Sequence, residues 1–182
     1  MRGPWVALIR GINVGRAKRV GMADLRQALE SDGCEVVGTV LQSGNVVLRA
    51  GRTSAKALAG RVERVLREDL GVEARVTCLD GAPLEEAIAA DPLAGTGSDP
   101  SRVQVVVPLE QDGLRRLAPL SRNRWTPESL VVADRVAWLW CPDGVIRSPL
   151  VAAVNEALDD GLTMRNPRPM RRIVALGGAS AS

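Results

Sequence analysis

The side chains able to do chemistry gather in four short stretches: Arg10-Gly11-Ile12-Asn13-Val14-Gly15, Gln42-Ser43-Gly44-Asn45, Arg147-Ser148-Pro149 and Arg165-Asn166-Pro167. The last two share a grammar. In each, a Ser or Asn suited to a helix N-cap precedes a Pro suited to the first helical position, and an Arg stands before the cap. A helix N-terminus offers N–H groups without intrahelical partners and a partial positive charge, and an adjoining guanidinium turns that end toward oxyanions. Each segment also reads as an ordinary cap worth about 1 kcal/mol, with its Arg in solvent. The glycines of the first two stretches let the backbone turn sharply or approach a ligand, although neither the dinucleotide-binding nor the P-loop spacing is present. Gly11 to Gly15 reads equally well as a plain strand-to-helix turn.

Missing residue types narrow the reactions. The chain has no histidine, which excludes a Ser-His-Asp triad, a Cys-His pair, an imidazole base and a His-ligated metal. Ser43 and Ser148 have no evident activating base. Phe and Tyr are also absent, leaving Trp5, Trp125, Trp138 and Trp140 as the aromatics, too few for a broad base-stacking platform. Cys34, Cys78 and Cys141 are odd in number and far apart, so they read as buried small hydrophobes in a reduced setting and not as a disulfide framework or a thiolate metal site. No dense carboxylate cluster suggests a metal, and no cofactor is specified. The apolar run Trp5 to Ile9 is far shorter than a signal core or a membrane span, so a soluble cytoplasmic protein without membrane contact is expected.

The elements that must hold these residues follow from periodicity. A chain of 182 residues with 46% hydrophobic and 25% charged residues can bury roughly 70% of its extended surface without staples. Trp5 to Ile9 is a continuous apolar run, as in a strand covered on both faces. Met22, Leu25 and Leu29 have helical spacing, closed by Ser31-Asp32-Gly33. Val36 to Leu41 and Val46 to Leu48 form a hairpin around Gln42-Ser43-Gly44-Asn45. Thr53 is expected to cap a helix with the stripe Leu58, Val62, Val65 and Leu66, and Val72 to Cys78 alternates as a half-buried strand. The order β-α-β-β-α-β is the ferredoxin-like unit.

A short helix from Pro83 to Ala90 and a turn-rich stretch over 91–100 precede a second set. Val103 to Val107 reads as a strand, Leu114 and Leu117 as a helix, and Leu130 to Ala133 with Val136 to Cys141 as a hairpin. A helix over Leu150 to Leu158 and a strand over Leu162 to Met164 follow. The expectation is an α+β chain of duplicated ferredoxin-like (α-β plait) units: residues 1–80, a helix and linker over 81–100, and 101–182 ending in a short helix near Met170 to Leu176. In such a unit the first and third strands are antiparallel neighbours, which predicts that Arg10 approaches Asn45.

The blocks Ile9 to Gly15, Thr39 to Val47, Pro142-Asp143-Gly144 with Arg147-Ser148, and Thr163 to Asn166 together resemble those of a bacterial family called domain of unknown function 1697. The resemblance spans nearly the whole chain and implies the same duplicated α-β plait, without an activity. Matched block by block, it directs interest to Arg10, Asn13, Gly15, Ser43, Gly44, Asn45, Gly144, Arg147, Ser148, Arg165 and Asn166. Asp143 is the one carboxylate in these blocks, and Asp-Gly is also a common turn. The chain departs from the family pattern at Val40, where an aromatic is usual, at Pro149 in place of a Lys, and at Pro167 and Pro169 in place of Trp and Thr.

Three functions remain open on this reading. The first is a phosphate-bearing small ligand held between the two halves by Arg10, Asn13, Ser43, Asn45, Arg147, Ser148, Arg165 and Asn166. The second is a nucleic-acid-binding module using Arg-phosphate contacts. The third is a structural or partner-binding protein whose Arg and Asn brace the junction of the halves. Of the 24 basic residues only Lys18 and Lys56 are lysines, which suits bidentate oxyanion recognition. The net charge of +3 is a weak nucleic-acid signal.

Overall fold

A computed structural model describes residues 4–13, 19–41, 44–97 and 99–178. The chain divides into two compact units, Met1–Glu85 with Arg171–Ser182, and Glu86–Met170.

In the first unit, β1 (Trp5–Arg10), α1 (Met22–Ser31), β2 (Glu35–Val40), β3 (Asn45–Arg49), α2 (Ala55–Glu68) and β4 (Arg75–Asp80) follow one another, and the sheet order is β2-β3-β1-β4 with every pair antiparallel. Trp5, Ala7 and Ile9 of β1 pack with Val46, Leu48 and the helical stripes Leu25/Leu29 and Leu58/Val62/Val65/Leu66. Val6, Leu8 and Val47 are equally buried on the other face, as a continuous apolar strand requires. The last turns of α6 (Pro167–Gly178) belong to this unit, with Leu176 against Gly38 and Gly177 beside Val47 and Pro4. Sequence position alone places that helix with the second half; apolar packing carries its end to the first sheet. Helix side chains also occupy both sheet edges. Arg26 donates to the Val36 carbonyl at 2.6 Å, and Glu63 accepts from the Val76 N–H at 2.8 Å, which blocks pairing with further strands.

The α2 cap is Ser54, not Thr53: Ser54 is extended and its Oγ accepts from the Ala57 N–H at 3.2 Å. Both residues carry a hydroxyl, and the third N–H of the helix decides between them. Asp32, at the end of α1, takes hydrogen bonds from Arg61 and Arg64 of α2. Burial alone would raise its pKa, but the bonds and charges of Arg64 and Arg61 outweigh that and hold it below the ordinary 3.8. Its contribution is therefore complete above that ordinary value and is lost as pH falls through the lower folded one. Because both arginines are partly solvated, Asp32→Asn is expected to cost about 1 kcal/mol at neutral pH. Urea unfolding at neutral and strongly acid pH should show the difference from wild type shrinking in acid.

The second unit repeats the order with β5 (Val103–Pro108), α4 (Gly113–Leu117), β6 (Ser129–Val132), β7 (Ala137–Trp140), α5 (Pro149–Ala157) and β8 (Leu162–Arg165), and its sheet order is β6-β7-β5-β8. Its core joins Val106, Leu117, Ala137, Leu139, Leu150, Val154 and Leu162. Helix α3 (Gly81–Ala89) and a 3-10 turn at Pro100–Arg102 lie in the connection from β4 to β5. Helix α6 starts at Pro167 and not near Met170, because Asn166 Oδ1 accepts from the Arg168 N–H at 3.0 Å; the cap-plus-proline pair marks the start and the apolar spacing does not. Both units are ferredoxin-like. Among the described residues no helix is long and apolar enough to cross a membrane.

Candidate anion-binding sites

The sequence blocks fall into one group in each unit. In the first, β1 ends and β3 and β4 begin at the same end of the sheet. Leu8 pairs with Asn45, and the Ile9 N–H donates to the Gly44 carbonyl at 2.8 Å, so Arg10 comes to the Asn45 end as the topology predicts. Gly44 has φ +77, and a Cβ there would stand 2.8 Å from both Ile9 Cβ and Ile12 Cδ1. Asn45 is 1% exposed, and its Nδ2 donates to the Val40 carbonyl at 2.9 Å, tying the hairpin. Asn13 binds Val20 through both ends of its amide, accepting from its N–H at 2.7 Å and donating to its carbonyl at 3.0 Å, which closes the base of the β1–α1 connection. Gly15 and Ser43 lie outside the described residues.

The second group lies where β5 begins and β7 and β8 end. Ser148 caps α5, its Oγ accepting from the Val151 N–H at 2.9 Å, while Glu128 accepts from the Leu150 N–H at 3.0 Å. The first turn of α5 is thus supplied from within the protein, by a hydroxyl and a carboxylate. Arg165 Nη1 donates to Thr163 Oγ1 at 2.7 Å and to the Met164 carbonyl at 2.9 Å, and burial draws its pKa below the ordinary arginine value. Asn166 Nδ2 reaches the carbonyls of Pro100 at 3.1 Å and Val103 at 3.3 Å, so it braces the turn that carries Arg102. Arg147 is exposed.

Arg102 is the functional candidate that sequence reading misses. Asp99-Pro100 repeats the cap-plus-proline signal, with Asp99 accepting from the Ser101 N–H at 2.9 Å, but the surrounding turn formers mask it as linker. The Cys141 N–H donates to the Arg102 carbonyl at 3.0 Å and brings the loop after β7 alongside. Gly144, at φ +89, presents bare backbone to the guanidinium: a Cβ would be 2.8 Å from Arg102 Nη1. Arg102, Gln104, Asp143, Gly144, Ile146 and Arg147 line a cavity of about 340 Å³. Ile146 is 96% exposed on its rim. A larger hollow of about 600 Å³ in the first unit is lined by Asp24, Asp32, Asp69 and Arg64, three acids against one base. Its acidic excess makes it the poorer place for an anion.

Other chemistry finds little support. All three cysteines are buried and free, and burial raises each thiol, Cys78 to about 12 with the charges of Cys34 and Glu63 adding to the effect. They are inert packing residues. Among the described residues no group of three or more Cys, Asp and Glu could hold a metal ion.

The family model described as a protein of unknown function, DUF1697, matches residues 3–138. The chain belongs to the DUF1697 family. That match takes in the Arg10 and Gly44-Asn45 blocks and stops before Arg147. The solved structure of conserved bacterial protein SP0830 from Streptococcus pneumoniae is similar, with a TM-score of 0.72 and 20% identity over 96% of this chain and 98% of that one. At that identity the likeness speaks for the fold. No curated protein matches the chain.

Proposed function

We propose that this DUF1697 protein binds an anionic, phosphate-bearing small molecule in the second unit, in the cavity lined by Arg102 and Arg147. The observation that carries the reading is the approach of Arg102 to the bare Gly144 backbone, which seats one guanidinium over the loop that bears the other. A volume of about 340 Å³ suits a small ligand. Arg102 donates through Nε to Asp99 at 3.2 Å, which leaves its terminal N–H groups and the Arg147 fork for the anion; charge-assisted bonds worth roughly 1.5 to 3 kcal/mol each support micromolar binding. Ile146 offers an apolar contact beside the anion. A nucleic-acid reading lacks a comparable observation, because Val6, Leu8 and Val47 on the first sheet are aliphatic and buried where stacking residues would be needed.

The test is a calorimetric and thermal-shift titration with inorganic phosphate, pyrophosphate and nucleoside monophosphates. A ligand at 100 times its Kd adds about 2.7 kcal/mol, a Tm rise of roughly 5 to 10 °C. Arg147→Ala, at an exposed position, is expected to leave folding intact and weaken binding about 10- to 100-fold. A flat response across the panel, or an unchanged Kd in Arg147→Ala, would sink the reading.

A further inference from the structure

The cavity of the second unit holds acceptors that an anion alone leaves unused. Its lining sets Asp143 and Gln104 beside Arg102 and Arg147. Asp143 stands in a turn that the Gly144 N–H closes by donating to the Cys141 carbonyl at 2.9 Å, so the backbone makes the turn without the carboxylate. An aspartate that serves a turn accepts from backbone two residues on. Among the described residues Asp143 has neither a hydrogen bond nor an ion pair. Arg147, further along the same loop, has none either, so two opposite charges share one hollow without pairing.

Gln104 adds a second unused acceptor. Strand alternation sets it on the same face of β5 as Val106, and the register pairs it with Leu139, so an amide stands where the neighbouring core residues are apolar. Its Nε2 donates to the Ser101 carbonyl at 3.2 Å, which fixes the amide, and its Oε1 receives no donor from the described residues. A half-buried acceptor without a donor carries a desolvation cost that a ligand hydroxyl relieves. Inorganic phosphate brings mainly acceptors, and the Asp143 charge repels it.

We infer that the ligand of this cavity is a phosphorylated polyol or sugar, whose phosphoryl group meets Arg102 and Arg147 and whose hydroxyls donate to the Asp143 carboxylate and to Gln104 Oε1. The inference rests on the anion site proposed above and adds the recognition of the ligand's other half. Vicinal hydroxyls offer two O–H donors to one carboxylate, and Ile146 on the rim offers an apolar surface to the C–H side of the carbon skeleton. A nucleobase finds no aromatic ring among the lining residues on which to stack. Asp143 thereby acts as a specificity residue, opposing bare anions by charge and favouring hydroxyl donors by hydrogen bonding.

The test is calorimetric titration of the full chain with glucose 6-phosphate, inorganic phosphate, phosphoethanolamine and adenosine monophosphate, in wild type, Asp143→Ala, Gln104→Met and Arg147→Ala. Glucose 6-phosphate is expected to bind wild type about 10-fold tighter than each of the other probes. Asp143→Ala, at an exposed position, should weaken glucose 6-phosphate about 10-fold while strengthening inorganic phosphate. A structural role or a long-range charge effect moves both probes in one direction, so the crossover is specific to recognition of the hydroxyls. Gln104→Met, which keeps length and packing, should weaken glucose 6-phosphate and leave inorganic phosphate unchanged. The inference is overturned, with the anion site left standing, if all four probes bind alike and Arg147→Ala weakens them, or if Asp143→Ala leaves glucose 6-phosphate unchanged. Tightest binding of phosphoethanolamine overturns it as well, since Asp143 would then pair with an ammonium group, and so does tightest binding of adenosine monophosphate. No binding of any probe overturns the anion site and this inference together.

Discussion

Replacing Gly44 by alanine is expected to destabilise the protein by about 3 kcal/mol and to lower its Tm by roughly 6 to 12 °C. Two costs add at this position. The backbone has φ +77, where an L side chain costs about 1 to 2 kcal/mol. The new methyl would also stand 2.8 Å from Ile9 Cβ and Ile12 Cδ1 in the first core, and Ile9 Cβ, fixed to the strand, cannot give way without moving β1. Overpacking of this kind typically costs another 1 to 3 kcal/mol. Gly11→Ala separates the two effects, since Gly11 shares the positive φ but has nothing within 4 Å of its Cβ position. Only the backbone cost, about 1 kcal/mol, should appear there. Denaturant unfolding of both variants reads the difference directly; equal losses would mean that the approach of Gly44 to Ile9 and Ile12 contributes nothing. The consequence reaches the Arg10 end of the sheet as well, because the Ile9 N–H to Gly44 carbonyl bond sets the β1–β3 register that brings Arg10 to Asn45.

The glycine and asparagine of that block illustrate what a sequence discloses. Periodicity alone identifies the strands, because Trp5 to Ile9 and Val103 to Val107 are runs that only a doubly covered strand accommodates, and the stripe Leu58/Val62/Val65/Leu66 has one helical solution. The element order then leads to the ferredoxin-like unit twice. Partnerships across the chain are a different matter. Arg102 meets Gly144 and Glu128 meets Leu150 through tertiary packing over intervals of 42 and 22 residues, and no local pattern announces either. Arg75 is recognisable as the polar side of an alternating strand, but its position opposite Arg10 exists only in the register. The end of α6 on the first sheet is hidden for the same reason, since nothing local to Leu176 points to Gly38. The Arg-cap-Pro grammar correctly marks two helix starts. What it leaves open is whether the donors at those starts face a ligand or the protein itself.

That question has a decisive answer at α5. Pro149 has no N–H, the Leu150 N–H goes to Glu128 at 3.0 Å, the Val151 N–H goes to Ser148 Oγ at 2.9 Å, and the Ala152 N–H goes to the Ser148 carbonyl at 3.1 Å. Every donor of the first turn is engaged internally, and the Glu128 carboxylate occupies the place that an external anion would take at a bare helix end. The Ser148 hydroxyl also hydrogen-bonds the buried Cys141 thiol, whose pKa burial raises. Ser148→Ala is therefore expected to cost about 1 to 2 kcal/mol as a lost cap, and Glu128→Ala about the same as a lost charge-assisted bond. The double variant should lose about 3 kcal/mol, less than additively if the freed N–H groups find water together. Removing both groups also converts the helix end into an ordinary anion site, so phosphate should stabilise the double variant more than the wild type, an effect read by Tm against phosphate concentration. If Ser148 were instead a ligand contact, Ser148→Ala would lose phosphate binding at nearly unchanged stability. The cap geometry requires the opposite result, with the binding proposed for Arg102 and Arg147 unaffected and the fold weakened.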